Sequence, residues 1–300
     1  MSIRFDDRVA IVTGAGGGLG RHYALELAKR GARVVVNDLG GDRRGTGASD
    51  AALAVVEEIH AAGGTAMANG ASVADYEQMV EMVAHATEVW GGVHILLNNA
   101  GVLRDKSFAK MDPADFAFVV QVHLLGSANA TKACWETFRA QNYGRVLMTS
   151  SSSGLFGNFG QANYAAAKLG IAGLARTLHL EGAKHDIRVN TIAPTAGTRM
   201  TEGLFPDAAF AAFAPEKVAP AALYLVSEEA PSGHIVGAGA GVVQASYITL
   251  TPGVALEGED LSPEGVARHW AEILDRSDEI VPGSGAEQAM LIARTLQHPQ

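Results

Sequence analysis

The chain has 300 residues, 48% of them hydrophobic, and its 23 Lys and Arg against 32 Asp and Glu give a formal net charge of −9. That length suits one large α/β domain or two small ones, and that charge argues against a general binder of nucleic acid or of an anionic membrane, both of which favour basic surfaces. A single cysteine, Cys134, permits no internal disulfide, and no apolar run is long enough to span a bilayer; the expectation is a cytoplasmic protein in a reducing compartment.

The opening residues MSIRFDDRVAIV enter a strand at once and make a poor signal peptide. Short β-rich runs at 9–14, 32–38, 65–69, 93–99, 144–150 and 187–194 alternate with segments of helical spacing at 19–30, 51–62, 76–90 and 161–183. Such alternation predicts βαβ units. With strands this continuously apolar, it predicts an α/β fold: a doubly wound parallel sheet of about seven strands, covered by helices on both faces. The loop GGDRRGTGAS at 40–49 is longer than a usual βα joint and flexible by composition. A helix is expected across 215–228 and a last strand near 233–239. At 262–274, SPEGVARHWAEIL begins with a serine cap, a proline and a glutamate, which is a helix-start signal.

The first strand runs into Thr13-Gly14-Ala15-Gly16-Gly17-Gly18-Leu19-Gly20 and then a helix. Glycines there permit a tight turn and close backbone approach to a pyrophosphate. The helix start offers free N–H groups and the positive end of its dipole. The string follows the first strand and opens a helix, as a dinucleotide fingerprint requires. Gly14, Gly18, Leu19 and Gly20 are therefore expected cofactor contacts. Arg21 is placed either to touch the pyrophosphate or to lie solvated on the helix. Asp38 ends the second strand, 18 residues after Gly20. A carboxylate there accepts both ribose hydroxyls and repels a 2′-phosphate, which favours NAD over NADP. Arg43 and Arg44 stand close enough to pair with such a phosphate instead, so the choice stays open. Asn98-Asn99-Ala100-Gly101 ends the fourth strand, where Asn99 suits a near meeting of backbone and ligand. The expected division is a dinucleotide-binding catalytic domain over 1–255 and a C-terminal helical extension over 256–300.

TGAGGGLG at 13–20, NNAG at 98–101, and Ser151 with the pair Tyr164-x3-Lys168 together resemble the short-chain dehydrogenase/reductase family over about residues 6–240. The resemblance implies a Rossmann-type sheet, a nicotinamide cofactor and a homodimer or homotetramer. It also implies cofactor contacts at Ser72, where the family often has an aspartate facing the adenine, and at Val73, Tyr164, Lys168 and Thr198. A narrower resemblance, to the (3R)-hydroxyacyl-CoA dehydrogenases within the family, is carried by VVVNDLGGD, SFAK, YGR, MTSSSSGLFGNFGQANYAAAKLG and NTIAPTAGTRMT; SPEGVARHW continues it to about residue 276.

Tyr164 and Lys168 are i and i+4, on one helix face. A phenol titrates near 10, so it is a poor base until nearby positive charge favours the phenolate. The lysine ammonium and an oxidised nicotinamide ring are expected to do so, and the lysine also to bond the nicotinamide ribose. The family's serine lies 13 residues before the tyrosine, which selects Ser151 as donor to the substrate oxygen. Ser150, Ser152 and Ser153 read as turn or strand-end residues, although spacing alone does not dismiss Ser152. His123, in Val122-His123-Leu124-Leu125-Gly126, stands where the family often has an asparagine that holds a proton-relay water. Either its ring takes that place or it is a satisfied core histidine. Pro194-Thr195 departs from the family's usual Pro-Gly. The other histidines show no metal spacing, so no metal is expected.

The narrower resemblance implies oxidation of a (3R)-3-hydroxyacyl-CoA to the 3-oxoacyl-CoA, with an acyl-CoA thioester as substrate. Arg104, Lys106, Lys110 and Arg199 are the cations that would meet it, each otherwise a surface charge. Leu155, Phe156, Phe159, Leu204, Phe205 and Phe210 would line an apolar groove for a steroid or another bulky alcohol. A 17β-hydroxysteroid dehydrogenase is thus a second reading. A nucleotide-sensing protein without turnover is a third, against which the intact Ser151, Tyr164 and Lys168 set argues.

Overall fold

A computed structural model describes residues 2–197 and 211–297. Eight strands form one sheet in the order β3-β2-β1-β4-β5-β6-β7-β8, one strand more than expected. They are β1 (Val9–Thr13), β2 (Arg33–Asn37), β3 (Thr65–Asn69), β4 (Ile95–Asn98), β5 (Gly144–Thr149), β6 (Ile187–Pro194), β7 (Ile235–Gly239) and β8 (Val242–Ser246). Pairings from β3 through to β7 are all parallel. The additional β8 follows β7 across Ala240 and Gly241, both at positive φ, a two-residue link that allows only an antiparallel hairpin.

The helices of the catalytic part are α1 (Gly18–Lys29), α2 (Ala51–Ala61), α3 (Tyr76–Trp90), α4 (Pro113–Val120), α5 (Gly126–Gln141), α6 (Ser152–Phe156) and α7 (Ala162–Gly182). Alternate strand residues feed two cores. Ala10, Val12, Val34, Val36, Ile95 and Leu97 meet Tyr23 and Leu27 of α1 and Ile59 of α2 on one face. Val9, Ile11, Val35, Leu96, Val146 and Met148 meet Met79 of α3, Phe138 of α5 and Ile171 of α7 on the other. This is why the strands carry apolar residues without alternation.

β1 pairs with both β2 and β4, Ile11 lying opposite Val35 on one side and Leu96 on the other. The strand order reverses there, so the loops at the carboxyl ends of β1 and β4 diverge and leave a crevice. The chain divides into two compact units, Met1–Ala245 and Ser246–Gln300. The second contains helices Pro263–Arg268, Trp270–Ile273 and Gly285–Gln297 and a bridge between Leu250 and Ile280. Ser262 caps the first of these, its Oγ accepting from the Gly265 N–H at 3.2 Å, as the serine-proline signal predicts.

Candidate active site

Thr13 ties the end of β1 to the end of β4. Its hydroxyl oxygen accepts from the N–H groups of Asn99 and Ala100 at 3.0 and 3.1 Å. Asn99, just past β4, answers: its Nδ2 donates to the carbonyls of Thr13 and Gly14 at 3.1 and 3.0 Å. Gly14 sits at φ +63°, where a Cβ would lie 2.7 Å from the Ala100 Cα, and a Cβ on Gly20 would overlap the Gly14 carbonyl. The turn is thus built with no room for side chains, which lets a ligand approach its backbone. Gly17 begins α1 without a side-chain cap, leaving the first N–H groups free of one.

These residues wall a cleft of about 300 Å³. Gly14, Gly18, Leu19, Asp38, Ser72, Val73 and Asn99 all line it, so the structure brings together most of the expected cofactor contacts. The Asp38 carboxylate is set in place by two backbone donors, Gly16 N–H at 2.8 Å and Gly40 N–H at 2.7 Å. A Cβ at Gly16 would press on that carboxylate. The cradle therefore fits a dinucleotide: small residues at the turn and a fixed carboxylate at the end of β2. Arg43 also lines the cleft. Arg21 is taken by Glu58, with 2.6 Å between Nη2 and Oε1. Thr198, Arg199, Leu204, Phe205 and Phe210 lie outside the described residues.

The reacting groups stand beyond the end of β5. The four serines divide the work. Ser150 is buried and its hydroxyl donates to the Lys168 carbonyl at 2.7 Å. Ser151 caps α6, its hydroxyl accepting from the Ser153 N–H at 3.2 Å, and it stands close enough to Tyr164 to pull the phenol's titration down. Ser152 and Ser153 form the first turn of α6. Lys168, one turn after Tyr164 on α7, is buried; its Nζ donates to the Thr149 carbonyl at 2.6 Å and lies 5.5 Å from the Tyr164 ring centroid.

Burial pushes Tyr164 up to about 12, with Ser151 pulling against it. Burial also pushes Lys168 down to about 7, which weakens the very charge that was to act. His123 is buried with its ring edge-on to Tyr164 at 5.1 Å between centroids. Burial first, and the Lys168 charge second, push it down to about 3, so it is neutral. Its Nε2 lies 3.0 Å from the Val102 nitrogen and 2.8 Å from the Val102 oxygen, while its buried Nδ1 has no partner in the structure.

Three site residues escape a reading of the sequence. Thr13 had a weak signal in the dipeptide before the glycines. Asn163, fully buried, accepts the Tyr164 N–H at 2.7 Å and donates to the Arg104 carbonyl at 3.0 Å. Gly154 lets α6 lie against α7, a Cβ there falling 2.6 Å from the Lys168 Cβ. Arg104, a candidate for a thioester's phosphates, is instead paired with Asp115 at 2.8 Å. Among the described residues no cluster of His, Cys, Asp and Glu is arranged to hold a metal, and no helix is long and apolar enough to cross a membrane.

Residues 8–209 match the family profile described as short chain dehydrogenase. The chain is 49% identical to the peroxisomal multifunctional enzyme type 2 of Mus musculus over 284 residues, which cover 93% of this chain and 38% of that protein. It superposes on the full-length peroxisomal multifunctional enzyme type 2 of Drosophila melanogaster with a TM-score of 0.81 at 39% identity, covering 98% of this chain and 50% of that one. The chain therefore spans half or less of these two relatives. A 7α-hydroxysteroid dehydrogenase complexed with NADH superposes with a TM-score of 0.72 at 30% identity, covering 80% of this chain and 96% of that one. The names correct the cytoplasmic expectation, because the mouse and fly relatives are called peroxisomal. A lone cysteine shows only that disulfides are not needed, and many compartments satisfy that.

Proposed function

This chain belongs to the short-chain dehydrogenase family, and from that premise we propose that it oxidises (3R)-3-hydroxyacyl-CoA to 3-oxoacyl-CoA with NAD⁺. It is a dehydrogenase with a nicotinamide cofactor and a small-molecule substrate. The observation that supports the reaction type is the gathering of Ser151, Tyr164 and the buried Lys168 at the carboxyl end of β5, with the Lys168 Nζ held by the Thr149 carbonyl 5.5 Å from the Tyr164 ring. The preference for NAD rests on Asp38, whose carboxylate is fixed by Gly16 and Gly40 and would repel a 2′-phosphate. The thioester rests on the narrower motif resemblance of 148–170 and neighbouring segments.

Gly14, Gly18, Leu19, Asp38, Ser72, Val73 and Asn99 would hold the cofactor. When bound, the nicotinamide supplies the hydride acceptor and, in its oxidised form, a positive ring. Ser151 donates to the carbinol oxygen and holds it against Tyr164. Tyr164 takes the alcohol proton, and in reduction returns it to the carbonyl oxygen. Its high resting value keeps it protonated until positive charge arrives, so the base forms only in the loaded site. Lys168 is locked by Thr149 and by burial, and contributes position as much as charge. The family's usual homodimer or homotetramer is proposed for this chain as well.

A bulky-alcohol substrate is the second reading, favoured by Phe156 and Phe159, which are 76% and 91% exposed just after Ser151. The deciding assay follows NAD⁺ and NADP⁺ reduction with R- and S-3-hydroxyacyl-CoAs of several chain lengths, beside 17β-hydroxysteroids. NAD-linked turnover of the R thioesters is expected. A strong S preference, or turnover of free steroid alone, would reject the thioester assignment.

A further inference from the structure

The loop at 40–49 is flexible by composition yet heavily tied down. Asp42 knots it: the side chain accepts from the N–H groups of Arg44 and Thr46 at 2.8 and 3.0 Å, and its own N–H donates to the Thr46 carbonyl at 2.7 Å. Three further bonds join the loop to the segment after β4. The Leu103 N–H donates to the Arg43 carbonyl at 2.8 Å. The Arg104 guanidinium donates to the Arg44 carbonyl through Nε and Nη2, both at 3.3 Å. Gly45, at φ +78°, packs so closely that a Cβ would lie 3.0 Å from the Phe118 ring and 3.1 Å from Val102.

The same loop residues Gly41, Asp42, Arg43 and Gly45 line the dinucleotide cleft, as do Val102 and Phe118 on the opposite wall. The loop therefore crosses the cleft and is fastened on the far side. Arg104 is the side chain at that fastening. Its Nη1 meets Asp115 of α4 at 2.8 Å, its guanidinium lies 4.0 Å over the Phe118 ring, and its carbonyl accepts from Asn163, next to Tyr164. A planar fork can satisfy a carbonyl, a carboxylate and a ring face together, whereas an ammonium is a point donor. We propose that Arg104 is a positioning residue that latches the 40–49 loop over the bound dinucleotide, so that cofactor leaves only when the Arg104–Arg44 and Leu103–Arg43 bonds open. This rests on the reading of the cleft as the nicotinamide cofactor's site.

The test is NADH release by stopped-flow fluorescence from the full chain, together with trypsin digestion at Arg43 and Arg44. Loss of a charge-assisted bond acts mainly on dissociation, so Arg104→Ala should release NADH about tenfold faster. Arg104→Lys should fall between that variant and the wild type. Asp115→Asn, which frees the guanidinium without touching the loop, should shift release in the same direction. NADH should slow cleavage at Arg43 and Arg44 in the wild type and protect Arg104→Ala little. A merely structural arginine would lower the melting temperature without moving the protection pattern. Release from Arg104→Ala and Asp115→Asn within about twofold of the wild type would overturn the latch while leaving the cofactor site standing. If Arg104→Ala does not fold, Asp115→Asn alone decides. A wild type that fails to bind NADH would overturn both.

Discussion

Tyr164 and Lys168 are neighbours on α7 that burial drives in opposite directions, one up to about 12 and the other down to about 7. Removing the phenolic hydroxyl in Tyr164→Phe should lower turnover by about 10²- to 10⁴-fold, the usual range for a general acid–base, with NADH affinity near normal. A variant that keeps most of its turnover would take Tyr164 out of the proton transfer. Lys168 makes a prediction about stability. Its folded value lies below the ordinary lysine value of 10.5, so the unfolded chain binds more protons between pH 10.5 and about 7. The cost of burying the charge is absent above 10.5, grows as pH falls and is complete below about 7, where it is on the order of 5 kcal/mol. Lys168→Met should therefore melt above the wild type at pH 7, with the gap closing toward pH 10. A gap independent of pH would show that the lysine titrates normally. At this scale the spacing of Ser151, Tyr164 and Lys168 was legible, because family chemistry fixes it. The titration was not, since it depends on burial by residues distant in the chain.

Helix α6 is only five residues long, yet it sets the distance between Ser151 and Tyr164. It lies on α7 through Gly154, where a Cβ would come 2.6 Å from the Lys168 Cβ and 2.9 Å from the Leu169 nitrogen. The Leu169 nitrogen is backbone and cannot swing aside. Gly154→Ala should force the two helices apart, costing about 1–3 kcal/mol of stability. Because Ser151 moves with α6, turnover should fall by about 10- to 100-fold, while NADH binding holds. Unchanged turnover would mean that α6 is free to adjust. Elements with strong periodicity, such as 76–90, were readable from the sequence, and α3 covers that range. The π-helical turn Gln121–Leu125 that carries His123 was not, because its residues read equally well as α-helix. β8 was missed for another reason: its residues are almost all exposed, so VVQAS shows neither a buried run nor an alternating face.

The molecule as a whole divides at Ala245, ten residues before the boundary expected from the sequence. The α/β class was legible because buried parallel strands demand continuous apolar runs. The boundary was not, because the stretch between the last strand expected, near 233–239, and the helix start at 262 carries no strong periodic pattern to say where one unit ends. Among the described residues, those lining the dinucleotide cleft fall between Gly14 and Val122, and Ser151, Tyr164 and Lys168 follow within the same unit. Among the described residues, both hydrophobic cores draw on that unit alone, from Ile3 and Phe5 to Ala238. Cofactor binding should therefore not need the second unit. A chain ending at Ser246 is expected to melt cooperatively and to bind NADH within about threefold of the full chain, a difference of under 1 kcal/mol. Fluorescence titration of both chains checks it. Loss of binding by a truncated chain that still melts cooperatively would mean that the unit from Ser246 onward supports the cleft, and that catalytic and C-terminal parts cannot be treated as separable.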